Sequence, residues 1–136
     1  MLRLFLLCFL FLSFIHSAAQ NLNAASQSLV WHSNQLQEKH SGETVNVAVD
    51  IKTTTETIQL LYPNEMITFE IQSIEGEWQD VSADGQLLYS VLHNDTSFGE
   101  VTIQRSSGNL WIEVDFTENN QHGLHQVFEI NSVNAQ

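Results

Sequence analysis

From Val45 onward the chain alternates. Val45, Val47, Val49 and Ile51 are separated by Asn46, Ala48 and Asp50, so one side of the segment is apolar and the other polar or small. A two-residue period is that of side chains on a half-buried β-strand, whose successive residues face opposite sides of a sheet. It recurs in Ile67, Phe69 and Ile71, in Leu87, Tyr89 and Val91, in Val101 and Ile103, and in Ile112, Val114 and Phe116. Residues 58–62 and 126–133 read as strands too, the latter closing the fold with Phe128 and Ile130. Beyond residue 20 no apolar stripe at helical spacing runs for the length of a helix.

The breaks between these runs predict the connections. Pro63 cannot donate to a ladder, so with Asn64 it ends the strand at 58–62. After Ile71 the parity slips, because Ile74 and Trp78 fall on even numbers; a bulge or a tight turn at Glu75 and Gly76 would absorb the slip, and the turn is the preferred reading. Asp84 and Gly85 form a strong two-residue hairpin signal. With that loop Ser82 pairs with Leu87 and Trp78 with Val91, and Trp78, Leu87, Tyr89 and Val91 share a face. A second hairpin turning within 106–109 sets Arg105 opposite Leu110, Ile103 opposite Ile112 and Val101 opposite Val114. Slipping it by one residue would place valines against Glu113 and Asp115, so burial selects the first register.

The first third is less regular. Residues 29–32 predict a short edge strand with Trp31 inward, and 34–42 a helical turn or a loop. His122 and Gly123 predict a further turn. Eight or nine short strands with short connections place sequence neighbours side by side. The expected fold is therefore all-β: a single antiparallel β-sandwich of meander strands, with a small closed up-and-down barrel as the alternative. The sandwich is preferred because the N-terminal third looks better suited to capping a barrel than to completing one.

The first residues follow another pattern. Arg3 precedes an apolar block over 4–15, and Ser17 and Ala19 then stand in the small-x-small relation read by a signal peptidase. The block is shorter than the roughly twenty residues a spanning helix needs, so no stable membrane anchor is expected. The predicted organisation is a signal peptide over 1–19, a loose polar leader over 20–28 and one all-β domain over 29–136, exported to the periplasm or secreted. Cys8 is the only cysteine and would leave with the signal, so no disulfide can staple the domain.

Charge narrows the partners. Sixteen acidic residues face four basic ones, for a formal net charge of −12. Such a surface repels nucleic acid and anionic membranes.

Residues 80–85, Asp-Val-Ser-Ala-Asp-Gly, open like a calcium loop, but the twelfth position is Val91 where a bidentate acid is required, and the flanks alternate as strands. His122 and His125 lack a third metal ligand at a characteristic spacing. No metal or other cofactor is therefore assigned. The pairs Glu75 with Glu77 and Glu113 with Asp115 each share a strand face, as a carboxylate-based hydrolase would need. No nucleophile elbow or phosphate loop accompanies them, and no catalytic residue is assigned.

Trp111 is the odd residue. The second hairpin's register puts it on the polar face with Gln104 and Glu113, where an indole can stack a sugar ring or anchor a partner. These three residues are the candidate ligand site. The expected function is a non-catalytic exported binding module for a protein or carbohydrate ligand. The alternatives are a small-molecule carrier with a barrel calyx, hollow between Trp78, Tyr89 and Phe116, and the hydrolase.

Overall fold

A computed structural model describes residues 22–117 and 123–136. The apolar N-terminal block, the expected cleavage point after Ala19, and His122 lie outside the described residues. Eight strands follow one another in chain order: β1 Leu29–Glu38, β2 Thr44–Thr53, β3 Thr57–Leu61, β4 Met66–Glu75, β5 Gly85–His93, β6 Ser97–Ser106, β7 Asn109–Asp115 and β8 His125–Ala135. Each pairs antiparallel with the next, and β8 pairs with β1, so the sheet closes on itself as a barrel. The all-β expectation is met, and the preference for a sandwich is corrected in favour of the barrel.

The reason lies in β1. The expected edge strand at 29–32 runs on through Glu38, and the segment from Asn34 to Glu38 is strand where a turn or loop was expected. A β-bulge between Ser33 and Gln35 shifts the pairing on both sides of β1. The extra residue restores parity, so that Leu29, Trp31, Ser33 and Leu36 are all buried inside. With nine of its ten residues partnered on β8, eight on β2, and inward positions on both halves, β1 serves β2 and β8 at once and leaves no edge.

Eight strands enclose a space that side chains can fill, and they fill it here. Trp31, Tyr89, Phe69 and Phe128 are each less than 2 % exposed. Every residue assigned to the core from the two hairpins (Trp78, Leu87, Tyr89, Val91, Val101, Ile103, Ile112, Val114 and Phe116) is buried. The second hairpin has the predicted register, with Ser107 and Gly108 at positive φ (51° and 83°) in a two-residue turn.

The first hairpin does not. Asp84 and Gly85 are not its turn: β5 pairs with β4 through Ile71 to Val91 and Ile74 to Tyr89, and residues 76–84 form a loop. The parity slip is absorbed by a bulge between Ile71 and Ser73, not by a turn replacing it. Ile71 and Ile74 meet the same demand for apolar inward partners that Trp78 was expected to meet. That releases Trp78 to fold across the end of the barrel.

There it forms a plug. Trp78 stacks on Trp31 with ring centroids 6.1 Å apart, and its indole N–H donates to the Ala83 carbonyl at 3.0 Å. The ring lies where a β-carbon on Gly85 would come within 2.2 Å of it, so only glycine is accommodated at the start of β5. Residues 22–28, read as a loose leader, are tied to the same plug. The Ala24 amide donates to the Trp78 carbonyl and the Val81 amide to the Leu22 carbonyl, both at 3.0 Å. Arg105 closes the arrangement by donating through Nε to the Val81 carbonyl at 2.7 Å.

Candidate functional site

The barrel has three surfaces: a plugged base, an opposite mouth and an outer wall. The wall is polar along most strands, with Asn46, Asp50 and Lys52 on β2, Glu70 on β4 and Glu129 on β8 facing outward. Two large apolar side chains are also exposed on it, Met66 at 59 % and Phe98 at 60 %. Among the described residues no helix is long and apolar enough to cross a membrane.

Trp111 stands on that wall. It is half-buried, whereas Trp31 and Trp78 are in the core at 0 % and 3 % exposure. Its Cα partners are Gln104 on β6 and Glu129 on β8. It lines an open groove of about 560 Å³ across β2, β1, β8 and β7, with Gln35, Gln37, Thr44, Asn109 and Glu129 as its polar walls. Of the sequence-predicted site residues, Trp111 and Gln104 are cross-strand neighbours. Glu113 lies two residues along β7 and outside the groove lining.

Glu113 belongs to another cluster. It accepts from His125 Nε2 at 2.7 Å, and Asp115 Oδ2 lies 3.9 Å from the same nitrogen. The rings of His40 and His125 meet edge to face at 6.0 Å, and His40 Nε2 donates to the Gly123 carbonyl at 2.7 Å. Burial raises the Asp115 carboxyl, but the Thr117 hydroxyl and amide, with His125 and His40, outweigh it and leave Asp115 below its ordinary value. Both acids of the Glu113 and Asp115 pair are thus engaged by neighbours. Among the described residues no group of three or more histidines and carboxylates has a geometry suited to a metal ion.

The calcium-like stretch is also occupied locally. Asp80 Oδ1 accepts from the Ser82 amide at 2.9 Å and the Ser82 hydroxyl at 2.6 Å, which lowers its carboxyl below the ordinary value. Asp84 accepts from the Ser107 amide at 3.3 Å, joining the plug loop to the β6–β7 turn.

The mouth differs from the expected calyx. Trp78 and Tyr89 are packed into the core at the base, and Phe69 meets Phe116 in a tilted contact with ring centroids 5.0 Å apart, so side chains occupy the axis. What remains is a notch of about 380 Å³ between Ile67, Phe69, His93, Ser97, Phe116 and Leu124. Beside it an inward polar chain runs from Tyr62, whose hydroxyl donates to Gln126, to Gln126, whose amide donates to Glu38. Sequence patterning did not find this chain. Its only signal was polar residues at inward parity near the strand ends.

Searches against models of known protein families, curated proteins and solved structures found no match for this chain.

Proposed function

We propose that the protein is an exported, non-catalytic binding module whose ligand seats on the outer wall of the barrel at Trp111. The observation that carries this reading is the half-buried indole in a groove of about 560 Å³ with polar walls of Gln35, Gln37, Thr44, Asn109 and Glu129. An indole offers a flat apolar face and one N–H donor, which suits a ligand that must be both stacked and oriented. The signal-like N-terminus supports export, and the net charge of −12 disfavours polyanionic partners.

The three indole N–H signals in a nitrogen-15 NMR spectrum provide the test. Trp31 donates to Thr53 Oγ1 at 2.9 Å and Trp78 to the Ala83 carbonyl, so both are internal references. A ligand of this site shifts the Trp111 signal and leaves the other two in place. Trp111→Ala should abolish binding while leaving the protein folded, with a stability loss of about 1 kcal/mol or less. A ligand that binds equally well to Trp111→Ala would sink the proposal. For export, the N-terminus of the protein recovered outside the cytoplasm should be Gln20.

A second reading, a carrier of a small neutral molecule, is favoured only by the mouth notch. Binding of such a molecule would move signals from Ile67, Ser97 and Leu124 and leave Trp111 still.

A further inference from the structure

The barrel registers place Trp111 in a longer row than the groove alone reveals. Asn46 on β2 is the Cα partner of Gln35 on β1, and Gln35 that of Glu129 on β8. Glu129 pairs with Trp111 on β7, Trp111 with Gln104 on β6, and Gln104 with Gln86 on β5. All six lie on the outer face, where strand parity opposes them to the buried residues. Four carboxamides, one carboxylate and one indole therefore form a continuous line over six adjacent strands. None of these six side chains has a hydrogen-bond, ionic or ring partner among the described residues.

From this row we infer the ligand class: a neutral, hydroxyl-rich polysaccharide chain lying across the strands, centred on Trp111. The inference rests on the function proposed above. Carboxamides both donate and accept, which matches hydroxyl groups that do the same. Glu129 accepts two further hydroxyl donors beside the indole, and the indole face packs against the C–H face of a sugar ring. Strands repeat about every 4.8 Å across a sheet, close to the length of one sugar ring, and because the barrel is closed the row curves over five of its eight inter-strand steps, so the chain must bend around the wall to reach both ends.

Charge and topology disfavour the other chains. The row holds no cation, so a phosphate or uronate chain would find a carboxylate and no counter-charge. A peptide would gain most by adding a strand to a sheet edge, and a closed barrel has none to offer.

Native gels cast with dextran, mannan, xylan or barley β-glucan test the inference, read alongside the Trp111 indole signal. At least one of these should retard the protein and shift that signal. Trp111→Ala should weaken retardation more than about tenfold, as loss of a central aromatic anchor does. Gln86→Ala and Asn46→Ala, at the ends of the row and outside the groove, should each weaken it about three- to tenfold, the size of one or two hydrogen bonds. Both side chains are exposed, so unchanged melting curves are expected of both.

If Trp111→Ala abolishes retardation while both end variants bind like the parent, the extended row is refuted and the function at Trp111 survives. If the four neutral polymers fail but alginate or a defined peptide library shifts the Trp111 signal, the ligand class is wrong and the function again survives. If none of these probes moves that signal, both fall.

Discussion

The three tryptophans separate two roles that one residue type can play. Trp31 is fully buried and bonded to Thr53 Oγ1, so Trp31→Ala opens a cavity in the barrel and should cost about 3–5 kcal/mol. Trp111→Ala should cost about 1 kcal/mol or less, because the change is made on the outer wall. Urea melts of the two variants measure the contrast; equal losses would place Trp111 in the core. Tyr89 supplies a pH signature of the packed interior. Burial pushes its phenol from 10.0 up to about 12, although the hydroxyl still reaches the Ala24 carbonyl at 3.3 Å. Between those values the unfolded chain releases the proton while the folded chain keeps it, so stability falls as pH rises. The contribution is intact below the unfolded value and lost above the folded one. Tyr62 moves in the same direction, through burial first and then Glu38 and Glu65. Tyr89→Phe should flatten the decline between urea melts at about pH 9 and about pH 11.

Among the elements, the plug and β1 decide how the barrel closes. Residues 22–28 bring Leu22 and Ala24 against Trp78 and Val81, and supply backbone partners to both. A chain beginning at Ser28 should lose about 2–4 kcal/mol, from the buried apolar area of Leu22 and Ala24 and the uncovering of Trp78. A denaturation midpoint unchanged by that truncation would mean that the segment merely rests on the base. The hairpin of β6 and β7 was legible in the sequence because its turn is short and only one register buries every valine and isoleucine. The hairpin of β4 and β5 was not. Asp84 and Gly85 carry a turn signal, yet Gly85 is glycine because the Trp78 ring lies against it. A local signal was satisfied by a tertiary contact.

At the scale of the molecule, the barrel separates an apolar interior from an acidic exterior. Sixteen acidic residues against four basic ones leave a formal net charge of −12, and the excess like charges repel. Raising salt to about 0.5 M should therefore lift the melting temperature by roughly 3–6 °C, the effect of about 1 kcal/mol of relieved repulsion. A fall instead would mean that attractive pairs, such as His125 with Glu113 or His32 with Asp50 at 2.7 Å, outweigh the repulsion. The candidate site belongs to this scale too. Gln104 beside Trp111 was legible because both lie on one hairpin. Glu129, Gln35 and Asn46 were not, because they reach Trp111 only through the pairing of β8 with β7 and β1.

Alternation alone determined most of the strands from β2 onward, their inward sets and the outward face of Trp111, since a two-residue period assigns each side chain to a face whatever the sheet's final shape. Closure was a different matter. The same inward set suits two packed sheets or one closed sheet, and parity carries no information about which distant strands meet. Only the tertiary structure decided it, through a bulge in β1 that let one strand pair on both sides, and through a plug that freed Trp78 from the sheet. These are long-range choices, set by filling one interior without voids and leaving no edge unpaired.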